Sequence, residues 1–278
     1  MQTRFSKEIN YQAPYYNILV YENVEKNKIT HLVDISFLIL YFRYIPMKIS
    51  MNNLCIIPAR GGSKRIPRKN IKPFMGKPIM AYSIEAALRS ELFNEVMVST
   101  DDADFAEVAR QYGASVPFMR SEATANDYAT TEEVLLEVLD EYKKLGKEYD
   151  NICCLYSTAP FVTAERLKEA YQKMIEENVD AVFTVVAYSY PIQRCLHIID
   201  GKIGMKWPEY QTARSQDLET IYHDAGQFYF GRVNQLRIEK DLWMKNTVPL
   251  ILPETEVQDL DTITDWQLAE MKYKLVKG

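Results

Sequence analysis

The chain has no CxxC pair, no histidines at metal-ligand spacing, no long apolar run and no excess of positive charge, and each lack removes a class of protein. Its cysteines, Cys55, Cys153, Cys154 and Cys195, form no chelating pattern, and His31, His197 and His223 do not approach the spacing of a zinc site. Because the first three cysteines lie inside apolar runs that read as buried strands, reduced core thiols are expected, which fits the cytosol. A net charge of −5 and a pI near 5.4 leave no broad basic face for nucleic acid. The run "SFLILYFRYI" reaches about half the length of a membrane helix, is broken by Arg43, and is followed by no small-residue cleavage site. Neither GxxxxGK[ST] nor GxGxxG occurs, so the common phosphate-binding and dinucleotide-binding loops lose their main support. No repeat or low-complexity tract is present.

What remains is an ordinary globular composition, 47% hydrophobic and 26% charged over 278 residues, enough for one large domain or two modest ones. Residues 1–50 differ from the rest: they are rich in Tyr, Ile and Asn and contain no glycine. They are expected to form an extension outside the main domain, 51–278, with Met51 a candidate start. A membrane-surface anchor is the other open reading of this segment. From Asn53 onward, short apolar runs alternate with amphipathic stretches, the pattern of βαβ units and a mostly parallel sheet. Strands are predicted near 53–58, 95–99, 151–156, 180–187, 226–231 and 248–252. Helices are predicted at 77–90, 102–112, 130–145, 163–177 and 263–275, with Thr100 or Asp101, Thr163 and Thr262 as starts. "HIIDGKIGMKWPEY" breaks the rhythm and reads as a hairpin turning at Asp200-Gly201.

Chemistry concentrates in the loop after the first of these strands. Between Ala59 and Ile84 there is no Asp or Glu, while Arg60, Lys64, Arg65, Arg68, Lys69, Lys72 and Lys77 all fall in that window. Such one-signed density repels itself unless an anion is expected. Gly61 and Gly62 can turn consecutive N–H groups into a concavity that cradles phosphates, and open α/β sheets bind ligands beyond the carboxyl ends of their strands.

These residues carry a resemblance. "IIPARGGSKRIPRKNI" resembles the signature loop of the CMP-sialic acid synthetase family, cytidylyltransferases of nine-carbon 2-keto sugar acids. "KPIMAYSIEAAL", "VMVSTDDADFAEVARQYGASVPFMR" and "QDLDTITDW" continue it in order and spacing, so that it covers roughly residues 53–275. The resemblance implies a Rossmann-like nucleotide-diphospho-sugar transferase fold: a mostly parallel twisted sheet, helices on both faces, and a small hairpin insertion for dimerisation. It implies CTP as co-substrate, held by Ala59, Arg60, Gly61, Gly62, Ser63, Lys64 and Asn70, with Arg60 and Lys69 catalytic and Lys69 assisting the leaving pyrophosphate. Asp127, in "EATANDYATT", holds the place of a nucleoside-contacting loop, while capping by Thr130 and Thr131 stays open for that stretch.

Nucleotidyl transfer also asks for a hard cation, and Mg²⁺ is held by one or two carboxylates plus substrate phosphates. Asp259 and Asp261 in "VQDLDT" point to one side of an extended backbone. Alone they read equally as solvated acids before the last helix; by resemblance they hold Mg²⁺ or Mn²⁺. Asp101 reads as a helix N-cap and not as a ligand. For the sugar acid the resemblance points to Tyr156, Gln193, Arg214, Gln216 and His223. An Arg fork suits a carboxylate, with a surface ion pair the alternative for Arg214. A general base or a hydrogen-bonded structural histidine are the two readings of His223. Sialic acid members read Leu-Gln-Pro-Thr-Ser-Pro, an apolar residue and Arg; here "LYSTAPFV" puts Tyr156 in the Gln place and Val162 in the Arg place. That departure favours a more apolar, deoxygenated acid such as pseudaminic acid. A homodimer, built partly through the Asp200–Trp207 hairpin, is implied by resemblance.

Overall fold

The computed structural model describes residues 6–13, 16–25, 28–32 and 51–277, and divides the chain into two units, Met1–Ser50 and Met51–Gly278. In the first unit, β1 (Ser6–Ala13), β2 (Tyr16–Glu25) and β3 (Lys28–Leu32) form an antiparallel sheet in the order β1-β2-β3. The apolar run at 36–45, with its membrane-surface reading, lies outside the described residues. Among the described residues no helix is long and apolar enough to cross a membrane.

The second unit begins with β4 (Asn53–Pro58), whose residues alternate between two cores: Cys55 and Ile57 face one, Leu54 and Ile56 the other. A strand covered on both faces must be apolar throughout, which explains the continuous run "LCII". A two-residue pair, β5 (Pro73–Phe74) and β6 (Lys77–Pro78), leads into α1 (Ile79–Ser90). Then come β7 (Glu95–Ser99), α2 (Ala103–Gln111), the single turn α3 (Glu122–Ala125), α4 (Thr131–Lys144), β8 (Asn151–Leu155), α5 (Ala164–Glu176) and β9 (Ala181–Ala187). The short strands β10 (Leu196–Ile199) and β11 (Lys202–Met205) form the hairpin, and β12 (Tyr222–Arg232), α6 (Val233–Glu239), β13 (Thr247–Leu252) and α7 (Ile263–Lys277) complete the unit.

The central sheet has six strands in the order β13-β9-β12-β8-β4-β7. β4 runs parallel to β7 and β8, and β9 to β13; β12 alone is antiparallel to both its neighbours. Core residues of α1, α2 and α5 cover one face (Met80, Phe105, Leu167) and those of α4 and α6 the other (Leu135, Leu236). Each such fully buried aliphatic or aromatic side chain stabilises the fold by roughly 1.5–3 kcal/mol. A third cluster, Phe74, Ile79, Tyr82, Phe161, Leu260 and Trp266, clamps α7 against the loop that follows β4.

Helix starts follow capping chemistry. Thr130 accepts from the Glu133 amide at 3.2 Å while the Glu133 carboxylate accepts from the Thr130 amide at 2.9 Å, a reciprocal cap on α4. Thr163 caps α5, and Thr262 and Asp265 bond reciprocally at the start of α7. The cap of α2 corrects the sequence reading. Asp102 accepts from the Asp104 and Phe105 amides at 2.9 and 3.2 Å, and Asp101 is left outside the helix. The expected hairpin turn is present: Asp200 and Gly201 have φ of 52° and 72°, the paired left-handed conformation that matches strand twist. Cys55, Cys153 and Cys154 are buried free thiols, and burial pushes the latter two well above their ordinary range.

Candidate active site

The parallel strands β4, β7 and β8 end on one edge of the sheet, and the loops that leave them enclose a cavity of about 560 Å³. One wall is the loop after β4, with Arg60, Ser63, Lys64, Arg65, Lys69 and Asn70; the opposite wall carries Arg120, Asp127, Thr130 and Thr131; Tyr156, Ser157 and Thr158 close the side nearest β12. A cavity of this size is in the range of small-molecule sites.

The loop is anchored at its root. The Ala59 amide donates to the Ser99 carbonyl at 2.9 Å, and buried Asn70 bonds the Arg60 carbonyl at 3.0 Å while accepting from Ser157 Oγ at 2.9 Å. The Gly61 amide donates to Asp101 Oδ1 at 2.9 Å, so the carboxylate displaced from the helix cap holds the loop instead. A Cβ on Gly61 would lie 3.1 Å from Asp102 Oδ2; glycine is there for close approach, and neither Gly61 nor Gly62 has positive φ. The left-handed residue of the loop is Arg68, at φ 51°.

The structure gives the loop cations carboxylate partners from distant segments. Asp127 receives Arg60 at 2.6 Å and also Lys64, and the two cations, Lys64 foremost, hold its carboxyl below the usual range. Arg65 meets Asp261 at 2.7 Å, and Arg68 meets Asp102 and Asp104 at 3.2 and 2.8 Å. Lys69 is different. Its Nζ donates to the Leu260 carbonyl at 2.6 Å, between Asp259 and Asp261, and burial lowers its pKa against the pull of those two carboxylates. Lys72 and Lys77 point away from the cavity: Lys72 lies over the Trp266 ring and Lys77 pairs with Glu85 at 2.6 Å.

The loop after β4 and the acidic pair near the end of the chain therefore meet in space, although Lys69 and Leu260 are 191 residues apart. Asp259 Oδ1 accepts from the Leu260 amide at 2.8 Å, and Asp261 Oδ1 is the partner of Arg65. Among the described residues no group of three or more His, Cys, Asp or Glu is arranged to hold a metal ion. Two carboxylates beside the cation-rich loop nevertheless fit Mg²⁺, which is held by one or two carboxylates and draws its remaining ligands from phosphate oxygens and water.

Sequence reasoning passed over Arg120. Its guanidinium is buried on the cavity wall, donating to Ser99 Oγ at 3.1 Å and the Ser99 carbonyl at 2.7 Å, with burial lowering its pKa against the pull of Asp101 and Glu137. A lone Arg after "VPFM" carried no signal of burial. Tyr156 lines the cavity as expected, and Val162 is buried in the core. Gln193, Arg214, Gln216 and His223 do not line the cavity of their own chain. Gln193, Arg214 and Gln216 belong to the segment between β9 and β12, and His223 to the start of β12: Gln193 Nε2 donates to the Glu219 carbonyl at 2.9 Å, Gln216 is exposed, and His223 Nδ1 bonds the Asp224 carbonyl at 2.9 Å. Arg214 pairs with Asp217 at 2.7 Å, the surface ion pair that the sequence left open.

Comparison with known proteins places these features in a lineage. The Cytidylyltransferase family profile matches residues 54–240. The chain is 43% identical over 226 residues to the pseudaminic acid cytidylyltransferase of Campylobacter jejuni subsp. jejuni serotype O:2, covering 81% of this chain and 97% of that protein. It is 35% identical over 232 residues to the CMP-N,N'-diacetyllegionaminic acid synthase of Legionella pneumophila, with 81% and 97% covered. Among solved structures it is similar in fold to a CMP:2-keto-3-deoxy-manno-octonic acid synthetase complexed with CTP, at a TM-score of 0.57 and 19% identity, covering 81% of this chain and 99% of that one. With a profile running from β4 through α6 and relatives matched over nearly their whole length, the chain belongs to the cytidylyltransferase family.

Proposed function

We propose that the unit Met51–Gly278 transfers CMP from CTP to the anomeric hydroxyl of a nine-carbon 2-keto sugar acid, pseudaminic acid, releasing pyrophosphate. The observation that carries this reading is the bond from Lys69, which lines the cavity, to the Leu260 carbonyl, which brings the Asp259–Asp261 pair to the cation-rich loop. The identity to pseudaminic acid cytidylyltransferases supports the choice of acid. So does the apolar replacement at Val162.

In this reading the triphosphate lies along Arg60, Gly61, Gly62, Ser63 and Lys64, drawing Arg60 and Lys64 away from Asp127. Asn70 and Asp101 hold the loop in shape, so little reorganisation is needed when charge develops. Asp259 and Asp261 would hold Mg²⁺, which when bound supplies charge neutralisation at the phosphates. The sugar hydroxyl attacks the α-phosphorus in line and gives up its proton to water, the bond from the α-phosphorus to the oxygen bridging to the β-phosphate breaks, and Lys69 stabilises the negative charge that passes to pyrophosphate. Positioning and charge supply most of the acceleration, and no strong base is required.

The test is to incubate the purified protein with each of the four nucleoside triphosphates, Mg²⁺ and pseudaminic, legionaminic or N-acetylneuraminic acid, and to measure pyrophosphate release. Release is expected to be fastest with CTP and pseudaminic acid; no release with any pair overturns the reading. Preference for legionaminic acid is the second reading, favoured by the identity to the Legionella enzyme.

The active form is proposed to be a homodimer. Leu196, Ile198, Ile203 and Met205 share one face of the hairpin, and the first three are 61%, 73% and 71% exposed. The occupant is a second copy of this chain, because Gln193, Arg214 and Gln216 lie on the same segment, and His223 at the start of the strand that follows it, yet do not reach their own cavity. Replacing Ile198 and Ile203 together by Asp is expected to yield a monomer of unchanged circular dichroism and much reduced turnover, read by light scattering and product assay. A cytoplasmic setting is proposed on the three buried free thiols.

A further inference from the structure

The two aspartates near the end of the chain reach the cation-rich loop on a strap, residues 253–262, that leaves β13. β13 is the edge strand, and β4 lies beyond β9, β12 and β8. Four strand spacings amount to about 19 Å, whereas a strap of this length, extended, reaches about 33 Å. That slack would let Asp259 and Asp261 wander unless the strap were fixed along its course.

It is fixed at the turn Glu254–Glu256 and the residue after it. Arg166, in the first turn of α5, grips the Glu256 carboxylate with two arms of its guanidinium, Nε to Oε2 at 2.9 Å and Nη2 to Oε1 at 3.1 Å, while Nη1 donates to Glu169 at 2.7 Å. A bidentate pair of this kind sets direction as well as distance. The Glu256 carbonyl accepts from Gln227 Nε2 at 2.5 Å, and Lys272 Nζ on α7 donates to the Val257 and Glu254 carbonyls at 2.8 and 3.2 Å. Arg166, Gln227, Glu256 and Lys272 all stand outside the cavity lining.

Gln227 reaches the strap because β12 bulges. Ala225 and Phe228, three apart, both pack in the core under α1, α2 and α5, so the alternation of the strand slips by one residue. The slip falls at Gly226, whose φ is +62°, where the pairing with β9 shifts from Asp224 opposite Val185 to Tyr229 opposite Phe183. Bulges re-aim side chains beside active sites. Here buried Gln227 turns its carboxamide to Glu256, while its own carbonyl accepts from the amide of cavity-lining Tyr156 at 2.9 Å. Downstream the strap is held again, where Lys69 donates to the Leu260 carbonyl and the Leu260 side chain is buried beside Phe74 and Trp266. Only Gln258 and Asp259 separate the two anchors, so a shift of the first moves a carboxylate directly.

We propose that Arg166 is a positioning residue for the reaction: acting through Glu256, it keeps Asp259 and Asp261 in place against the cation-rich loop, where the pair can share one divalent cation with the nucleotide phosphates. This rests on the reading of Asp259 and Asp261 as the carboxylates that hold Mg²⁺.

The test uses the full chain and its Arg166→Met and Glu256→Gln variants, which keep most of each side chain and remove the charged pair. Binding of Mn²⁺·CTP is read without any sugar acid, from the water-proton relaxation enhancement of the bound metal, and binding of metal-free CTP is read by calorimetry in EDTA. Each variant is expected to weaken Mn²⁺·CTP binding about tenfold, the smaller of the losses seen when a group that orients metal ligands is removed. Metal-free CTP should bind as in the wild type, because the loop after β4 is untouched. The double variant should be no weaker than either single one, since both remove the same contact. Turnover lost at low Mg²⁺ should return as Mg²⁺ is raised, with KM for the sugar acid unmoved; a merely structural loss would move every ligand together. If Arg166→Met lowers Tm, Glu256→Gln, which keeps the backbone bond to Gln227, decides the matter by itself. The inference is overturned if a folded variant binds Mn²⁺·CTP as tightly as the wild type, or if its binding of metal-free CTP falls by the same factor. Asp261→Asn separates the two readings. Weakened Mn²⁺·CTP binding in that variant, with the Arg166 and Glu256 variants unmoved, overturns this inference alone; full binding in Asp261→Asn overturns the placement of the metal and this inference together.

Discussion

Replacing Lys69 by alanine is expected to lower kcat by about 10²–10³-fold, the loss seen when one preorganised donor to a developing charge is removed. The fold should survive. Lys69 contributes one hydrogen bond, to the Leu260 carbonyl, and burial already opposes its charge. Melting temperature and circular dichroism close to wild type, with product formation nearly abolished, is the expected pair of results; near-normal kcat would mean that the phosphates lie elsewhere. Arginine is a poor substitute, because a planar fork cannot occupy the place of a compact ammonium between two carboxylates. The pH profile carries the same information. In the proposed role only the protonated amine would stabilise the leaving group, so kcat/KM is expected to fall as pH rises through the Lys69 pKa of the free enzyme. Burial lowers that pKa, which puts the decline below the ordinary lysine range. The alkaline limb should disappear in Lys69→Arg, whatever rate that variant retains.

The largest expected loss of stability comes from Phe74→Ala. Phe74 is fully buried and meets Tyr82, Trp266 and Tyr273 edge to face at 5.6, 5.6 and 5.4 Å. Removing such a ring costs about 3–5 kcal/mol, a drop in Tm of roughly 10 °C for a unit of this size. The effect should not be confined to stability. Phe74 joins the turn after the cation-rich loop to α7, and Leu260 is packed in the same cluster. Loosening that cluster withdraws Asp259 and Asp261 from Lys69, so KM for Mg²⁺ should rise in the folded fraction. A Tm within a few degrees of wild type would show that α7 is held by other contacts.

Most of the scaffold was legible because its strands are covered on both faces and its helices carry ordinary caps. "LCII" and "ICCL" read as buried strands, Thr163 and Thr262 marked real helix starts, and Thr130, which the sequence left open, is a cap. The direction of β12 was not legible, since periodicity records which face a residue takes and not which way the strand runs. Its bulge at Gly226 was missed for the same reason. The choice between Asp101 and Asp102 as cap turned on one residue of loop geometry, and neighbouring carboxylates are interchangeable to a sequence reader. In the site, charge density revealed the loop after β4, but its carboxylate partners come from segments that only the fold brings near. Arg120 was invisible because its burial depends on Ser99 and the strand edge behind it.

The contact between Lys69 and Leu260 also orders events during synthesis. Domains fold as they emerge from the ribosome, the amino-terminal part first. When β4 and its loop have left the exit tunnel, Leu260 and Asp261, the partners of Lys69 and Arg65, are still untranslated, and the nascent protein carries an unanswered cluster of positive charge among polyanionic ribosomal RNA. Leu260 can reach Lys69 only after a further 191 residues have been made.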